Sequence, residues 1–243
     1  MIFQNGNSKL MQRQRGSACG LWKLALGASL FACALAAAPA SATIVWELNP
    51  DSLNAPAGST ALTYTSQGYT ITATGYDNNG GTGTPTELYY KHVPPNDGAF
   101  ETGLGVVNTF NHELQPGSSV SNPFDFIQFD LTTIISAGAT SGAVSVTSVQ
   151  EGERFTIFGS NVAGTLGAQL GATYGSSLDN IFVSLPNFGQ YNFYSIAAAV
   201  GDVIPVALSA EIPAIPEVSA LLPIVGLLGL IVGVEAKRRR RLA

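Results

Sequence analysis

The side chains of this chain that could do chemistry are carboxylates rather than histidines or thiols. Between residues 43 and 216 there are fourteen Asp and Glu residues but only two histidines, His92 and His112. A pair of carboxylates can act as acid and base, or as acid and nucleophile, in the hydrolysis of a glycosidic bond. The candidates for such a pair are Glu87, Glu101, Glu113, Glu151 and Glu153. Sequence spacing does not determine whether any two of them lie at the separation of roughly 5–9.5 Å that the reaction needs, so a secreted glycan-active hydrolase is the open alternative.

Oxygen ligands for calcium are also present. The segment Asp77-Asn-Asn-Gly-Gly81 offers carboxylate and amide oxygens at a turn, with which Asp97, Glu101 and Glu113 could converge. Ca²⁺ takes about six to eight such oxygens, but the spacing lacks the glutamate that ends an EF-hand loop. An Asn-Gly turn with solvated acids explains the same residues without a metal. The sequence therefore predicts no metal and no cofactor, and the calcium alternative rests on Asp77, Asn79 and Glu113.

The remaining catalytic motifs are incomplete. The segment His112-Glu-Leu-Gln-Pro116 lacks the second histidine of a zinc protease helix, and a proline at its end would break that helix. Gly103-Leu-Gly105-Val-Val-Asn108 lacks the third glycine of a dinucleotide-binding fingerprint, so tight turns are the expected role of its glycines. No Gly-x-Ser-x-Gly motif occurs. We predict a protein that is not an enzyme and has no catalytic residues.

Aromatic and hydroxyl side chains suggest a binding role instead. Tyrosine stacks on sugar rings and hydrogen-bonds their hydroxyls, although most tyrosines on strands are simply half-buried. Thr70, Thr72 and Thr74 lie on one strand face and could present an ordered row of hydroxyls, although threonine is common on exposed strands. The eight tyrosines are Tyr64, Tyr69, Tyr76, Tyr89, Tyr90, Tyr174, Tyr191 and Tyr194.

The elements that position these side chains are predicted to be strands. Short runs rich in Val, Ile, Thr, Phe and Tyr recur between Gly, Asn, Pro and Ser clusters, and no amphipathic helical stripe interrupts them. This pattern predicts an all-β fold, a β-sandwich of the jelly-roll type. The predicted strands are residues 43–48, 61–65, 69–76, 87–92, 104–109, 126–131, 143–149, 154–158, 181–185, 191–197 and 204–210.

Alternation within the strands predicts which faces form the core. In each of three strands, one set of apolar residues shares a face. Phe124 and Phe126 are in the opposite phase to Ile127 and Phe129, which predicts a bulge or a strand start there. Residues 136–142 and 159–177 are glycine-rich and are predicted connections. The predicted core sets are Ile44, Trp46 and Leu48; Ile127, Phe129 and Leu131; and Ile181, Val183 and Leu185.

Residues 1–42 are predicted to be a secretory signal peptide. A basic region ends at Lys23, an apolar run follows, and Ala40-Ser41-Ala42 supplies the small side chains that a signal peptidase needs, which predicts cleavage between Ala42 and Thr43. An uncleaved anchor and a lipoprotein site at Cys33 are the alternatives. Both cysteines, Cys19 and Cys33, fall inside this segment, so the exported body has no disulfide.

The C-terminal segment is predicted to be a membrane anchor. Residues 218–234 form an apolar run of about 17 residues, which as a helix reaches ~25 Å, and a basic tail follows within three residues. By the positive-inside rule this tail stays cytoplasmic and the body lies on the far side of the membrane, in agreement with the signal peptide. The residues of the basic tail are Lys237, Arg238, Arg239, Arg240 and Arg241.

Charge separates the two ends from the body. Residues 43–216 contain only Lys91 and Arg154 as cations against fourteen carboxylates, which gives a net charge near −12. A surface this poor in Lys and Arg cannot neutralise a phosphate backbone, so nucleic-acid binding is excluded. The apolar content is high enough to offset chain entropy, so the body is expected to fold as a single domain of residues 43–212.

The order of features at the C-terminus resembles the PEP-CTERM sorting signal. Pro216-Glu217 precedes a short apolar span and an arginine cluster, with Val218 in the place of the second proline of the family motif. The resemblance covers residues 213–243 and implies an exported bacterial protein that an exosortase-type membrane enzyme processes at Pro216 and Glu217. Signal peptidase and the exosortase are then its partners, with exopolysaccharide as an implied ligand.

The body has a fainter resemblance to domains found ahead of such signals. It rests on the order of short motifs such as Gly103-Leu-Gly-Val-Val-Asn108, Phe126-Ile-Gln-Phe-Asp-Leu131 and Gly152-Glu-Arg-Phe-Thr-Ile-Phe-Gly-Ser-Asn161. Those domains are β-sandwiches without assigned chemistry. The resemblances imply an inner-membrane precursor that reaches the cell envelope, the cell surface or the extracellular matrix and has a structural or glycan-binding body.

Overall fold

The fold is all-β, as predicted. The structure, a computed structural model, describes residues 41–93, 101–109, 111–213, 228–232 and 237–240. Residues 41–213 hold fourteen described strands, one short helix α1 (Thr132–Ser136) and a 3₁₀ turn (Ser176–Leu178). The strands are β1 Ser41–Glu47, β2 Ala55–Pro56, β3 Ala61–Ser66, β4 Tyr69–Asn79, β5 Thr82–Thr86, β6 Leu88–Val93, β7 Glu101–Val106, β8 Asp125–Asp130, β9 Ser141–Thr147, β10 Arg154–Ser160, β11 Ala168–Gly175, β12 Phe182–Ser184, β13 Phe193–Val200 and β14 Ile204–Pro213.

The described strands form three antiparallel sheets. A four-stranded sheet has the order β1-β14-β9-β12, and a three-stranded sheet has the order β2-β6-β7. The third sheet has seven strands in the order β11-β10-β13-β8-β4-β3, with β5 paired to β4. Neighbours in these sheets are often distant in sequence, so the chain crosses repeatedly from one sheet to another. Each crossing ties two sheets together through the segment between them.

One apolar core takes side chains from all three sheets. Trp46 from β1, Leu104 from β7 and Phe129 from β8 are all within 1% of complete burial. Removing such side chains from water contributes roughly 1.5–3 kcal/mol each, which is what offsets the entropy of ordering the chain. The core therefore includes the faces that alternation predicts for β1 and β8.

Two of the three predicted core sets are confirmed in full. The sets that begin at Ile44 and at Ile127 are buried, but Ile181 is 50% exposed while Val183 and Leu185 are buried. The placement of Ile181 in the core is therefore wrong. Its backbone N–H donates to the carbonyl of Leu178 in a turn, so the pleat of β12 begins only after it.

Strand β8 is covered on both faces. It begins at Asp125, which is the strand start that the change of phase predicted. Phe126 lies in a second apolar cluster with Tyr76, Phe158 and Leu166, on the face opposite to the main core. Gln128, on that same face, is 2% exposed, because the segment around Gly164 passes over it and donates a backbone N–H to its side chain at 2.8 Å.

Every predicted strand overlaps an observed one, but some boundaries and elements differ. Strand β7 begins three residues before its predicted start, and β11 lies inside the predicted connection 159–177. Strand β11 is a mostly exposed edge strand with a register shift between Phe155 and Ile157 of its partner, so its apolar alternation is weak. Helix α1 buries only Ile134, too little to give a helical stripe in the sequence.

The two ends of the body meet at one place. Strand β1 pairs with β14 so that Ser41 lies opposite Pro213 and Thr43 opposite Glu211. The predicted cleavage site between Ala42 and Thr43 therefore lies near the start of β1, and cleavage there would remove two residues of the strand. Pro216 and Glu217 lie outside the described residues.

Only parts of the predicted C-terminal anchor are described. Residues 228–232 and 237–240 are helical, and Leu230 and Val232 are each 67% exposed. Among the described residues there is no helix with the length and apolar character needed to cross a membrane. Most of the predicted span 218–234 and Arg241 lie outside the described residues, so the anchor stays a prediction.

Candidate functional site: a buried lysine and two glutamates

The most concentrated charged chemistry in the described residues surrounds Lys91. Its Nζ lies 2.9 Å from Glu101 Oε2 and hydrogen-bonds directly to Glu113 Oε1. The side chains of Lys91, Glu101 and Glu113 are only 11%, 13% and 4% exposed. Together with Ser148 they form what we call the lysine cluster. It unites two of the five glutamates that the sequence offered as a carboxylate pair.

Three segments position the cluster. Lys91 lies on β6 opposite Gly103 of β7, and Glu101 lies two residues before that glycine, so the two charges are diagonal neighbours across adjacent strands. Glu113 comes from the segment after β7, where the backbone N–H of Leu114 donates to the carbonyl of Val203 at 3.0 Å. The cluster thus joins the three-stranded sheet to the start of β14.

Ser148 connects the two carboxylates. Its Oγ lies 3.1 Å from Glu101 Oε1 and 3.0 Å from Glu113 Oε2. A serine hydroxyl has one proton to donate, so it cannot donate to both carboxylates at once. Both contacts are hydrogen bonds only when one carboxyl carries a proton and donates it to Ser148. Ser148 follows β9 with a φ of 59°, an uncommon backbone conformation that directs its side chain into the cluster.

The pKa values of the two glutamates move in opposite directions. Burial raises the pKa of Glu113 to about 7, with the charge of Glu101 adding to the effect and Lys91 opposing it. Burial acts in the same direction on Glu101, but the hydrogen bond and charge of Lys91 outweigh it and hold the pKa of Glu101 below its usual value. Burial would lower the pKa of Lys91, and both glutamates reverse this. The cluster therefore contains an ion pair between Lys91 and Glu101 beside a carboxyl that is protonated below neutral pH.

Glycines on β7 allow the cluster to close. A side chain added at Gly105 would overlap the carbonyl of His112, and one at Gly103 would overlap the carbonyl of Pro205. The backbone before Glu113 and the start of β14 therefore lie directly on this strand. The tight turns expected at these glycines are wrong, because both residues lie within a strand where another backbone approaches closely.

The other glutamate candidates are elsewhere. Glu87 Oε1 accepts the backbone N–H of Gly58 at 2.9 Å, and Glu153 Oε2 accepts that of Gln150 at 2.7 Å. Glu151 is exposed.

The two histidines of the body contact other side chains. His92 Nδ1 lies 2.8 Å from Thr102 Oγ1, and the ring of His112 stacks on Tyr89 with 3.8 Å between ring centroids.

The calcium candidates of the sequence do not share one site in the described contacts. Asp77 Oδ2 accepts a hydrogen bond from Asn108 at 2.7 Å, whereas Glu113 is held by Lys91 and Ser148. The side chain of Asn79, and Asp97, lie outside the described residues. Within the described residues, no three or more His, Cys, Asp or Glu side chains are placed to hold a metal ion together.

The tyrosines do not form an open sugar-binding surface. All eight are described, and each is buried or half-buried. Tyr64 Oη donates to the carbonyl of Leu48 at 3.0 Å and Tyr194 Oη to that of Asn187 at 2.9 Å. These two hydroxyls therefore hydrogen-bond to the backbone of the protein itself.

The threonines, in contrast, do form a row. Thr63 pairs with Thr72 and Thr65 with Thr70 across β3 and β4, which places their side chains on one face with Thr74. The hydroxyls of Thr63 and Thr72 are 3.4 Å apart. We call these five residues the threonine face. The sequence predicts the three threonines of β4 on one face, but the pairing that adds Thr63 and Thr65 depends on sheet register.

Comparison with protein families, with curated proteins and with solved structures finds no match to this chain.

Proposed function

We propose that this protein is exported to the cell envelope or extracellular matrix of a bacterium and is processed by an exosortase-type enzyme. Its body is a jelly-roll-like β-sandwich with a structural or glycan-binding role. The observation that carries this proposal is the pairing of β1 with β14, which sets Ser41 beside Pro213. The predicted signal peptide and sorting segment therefore leave the body at the same point.

This geometry suits a protein that is held at a membrane and then released. Before processing, the C-terminal helix holds the body at the outer face of the inner membrane by one end. Signal peptidase acts at Ala42 and the exosortase at Pro216 and Glu217. Neither cut passes through the folded core, because β14 ends at Pro213 and β1 loses only two residues.

The processing half of the proposal is tested by mass spectrometry of the protein recovered from membrane, envelope and extracellular fractions. We expect the exported form to begin at Thr43 and to lack residues 237–241. Glu217→Ala should keep the protein in the membrane fraction, whereas Ser219→Ala is the matched control and should be processed normally. An extracellular form that retains Arg238 to Arg241 would contradict the proposal.

A glycan-binding role for the body is best supported at the threonine face. Thr63 and Thr65 are exposed, and their pairing with β4 produces a row of hydroxyls on one face that can hydrogen-bond sugar hydroxyls. The double variant Thr63→Val and Thr72→Val should reduce co-sedimentation with exopolysaccharide of the producing cell. Thr133→Val, at a solvent-exposed threonine on α1 that belongs to neither β3 nor β4, should not. Equal binding by the two would leave a purely structural role.

A glycan-active hydrolase is the second candidate, favoured by Glu101 and Glu113. Two neighbouring carboxyls whose pKa values are driven apart are the arrangement that acid-base catalysis uses. In this candidate Glu113 is the acid and Glu101 the base or nucleophile. This candidate predicts that the parent protein releases reducing sugar from exopolysaccharide. Glu101→Gln and Glu113→Gln should each lose this activity at an unchanged melting temperature. Hydrolysis by neither the parent nor the variants would reject it.

A further inference from the structure

A second pair of carboxylates lies on the seven-stranded sheet. Asp77 on β4 is the register partner of Asp125 on β8. Residues opposite each other in an antiparallel pair project from the same face with about 4.5–5.5 Å between their Cβ atoms. Two ionised carboxylates in such positions repel each other, so both can be ionised only if another interaction offsets this repulsion.

Each carboxylate of this acidic pair has one oxygen that the described residues leave without a hydrogen bond. Asp125 is completely buried, and its Oδ1 accepts the backbone N–H of Gln115 at 3.0 Å while Oδ2 has no partner among the described residues. Asp77 Oδ2 accepts from Asn108, while its buried Oδ1 likewise has no described partner. A buried carboxylate oxygen without a partner is costly, so these two oxygens need a donated hydrogen bond, a proton or a cation that the described residues do not supply.

Neither cation of the body, residues 43–216, is shown next to this acidic pair. Lys91 and Arg154 are the two cations between residues 43 and 216; the first is held by two glutamates and the second is exposed at the start of β10. A third carboxylate, Asp202, instead adds negative charge near Asp125. Burial raises the pKa of Asp125 to about 8, with the charges of Asp77 and Asp202 adding to it and the Gln115 N–H opposing it.

We propose that Asp77 Oδ1 and Asp125 Oδ2 bind a calcium ion between strands β4 and β8. Calcium prefers carboxylate and carbonyl oxygens in flexible numbers, so two carboxylates need only neutral oxygens and water to complete its coordination. The site keeps Asp77 from the sequence-based calcium set and replaces Glu113 by Asp125. Sites in extracellular modules bind calcium at roughly 10⁻⁴–10⁻³ M, which suits a site with two acids.

The proposal is tested by thermal unfolding of the full-length chain in mild detergent, after treatment with EDTA and then with calcium chloride. Calcium should raise the melting temperature by several degrees and saturate near millimolar concentration, since an ion that binds only the folded state stabilises it. Magnesium chloride at equal ionic strength should have a much smaller effect. Asp125→Asn and Asp77→Asn should each abolish the shift while they melt in EDTA at or above the parent temperature.

The exposed residue Asp51 provides the matched control, and Asp51→Asn should keep the full calcium shift. If Asp125→Asn does not fold, the half-buried Asp77 still allows the same measurement. An absent calcium shift in the parent, or an equal shift in Asp77→Asn, would overturn the proposal. A melting temperature that responds to pH but not to calcium would show that the two oxygens share a proton instead.

Discussion

Lys91 provides the positive charge that stabilises the buried glutamates Glu101 and Glu113. Its single positive charge contacts both Glu101 and Glu113 at a position where none of the three side chains is more than 13% exposed. Sequence reasoning identified Glu101 and Glu113 but not the lysine or Ser148 between them. A signal was present, because one of only two cations in the body is unusual wherever it falls. Its partners depend on strand register and on Ser148, which sequence spacing does not reveal.

Replacing Lys91 should therefore strongly lower the unfolding free energy. Lys91→Met leaves Glu101 and Glu113 buried without a counter-charge, and breaking a buried ion pair in this way costs about 3–5 kcal/mol of unfolding free energy. The loss should be smaller at pH 5 than at pH 8, because the glutamates can then take up protons. Chemical denaturation measures both values. Arg154→Met, at the exposed cation, is the control and should change stability by less than about 0.5 kcal/mol; equal effects would contradict a central role for Lys91.

Asp125 should make stability fall as the pH rises. Its pKa is 3.8 ordinarily and about 8 in the folded protein, so between these values the folded chain holds a proton that the unfolded chain has released. The folded state then binds more protons, and the unfolding free energy decreases with increasing pH across that window. Unfolding in EDTA at a series of pH values should show this slope, and Asp125→Asn should flatten it. Glu113 contributes in the same direction up to about pH 7, so a slope unchanged by Asp125→Asn would assign the effect to Glu113 alone.

At the scale of elements, alternation predicted the strands well because most of them bury one face. It failed where burial does not follow the pleat. Strand β11 is largely exposed, so its sequence lacks the pattern of a half-buried strand. In β8 the alternation predicts the core face correctly but not the burial of the second face. Strand β7 is a further case, since its glycines reflect the approach of other backbone segments and not a turn. Such approaches come from tertiary structure and leave no periodic signal.

Gly105 should be intolerant of any side chain for this reason. In Gly105→Ala the new methyl group overlaps the carbonyl of His112, so the segment that carries Glu113 must move away from β7. Overpacking of this kind costs about 1–3 kcal/mol, and here it should also disturb the lysine cluster. Gly175→Ala on β11 is the matched control, because its nearest atom is 3.9 Å away and its φ of −108° suits alanine. Thermal melting of the two variants gives the comparison, and equal melting temperatures would contradict the close approach.

At the scale of the whole molecule, the sequence separates the charges into an acidic body and two basic ends. The structure adds that the body begins and ends at the same sheet position, with β1 at the edge of its sheet and β14 beside it. The separation of charge can be predicted from the sequence because it depends only on where the charged residues fall along the chain. The shared position of the two ends of the body depends on which strand pairs with which, and the order of strands along the chain does not determine that.

The body should accordingly fold without either end, provided that β1 is kept. A chain of residues 43–213 retains Ile44, Trp46 and Leu48, which are fully buried, and we expect cooperative melting close to that of the longer protein. A chain of residues 49–213 loses all three side chains, each contributing roughly 1.5–3 kcal/mol, and exposes the backbone of β14 as a new edge. That loss is comparable to the whole stability of an ordinary domain, about 5–15 kcal/mol, so the shorter chain should be unfolded or aggregated. Circular dichroism and melting curves separate the cases: a folded 49–213 would mean that β1 is dispensable, and an unfolded 43–213 would mean that the ends stabilise the body.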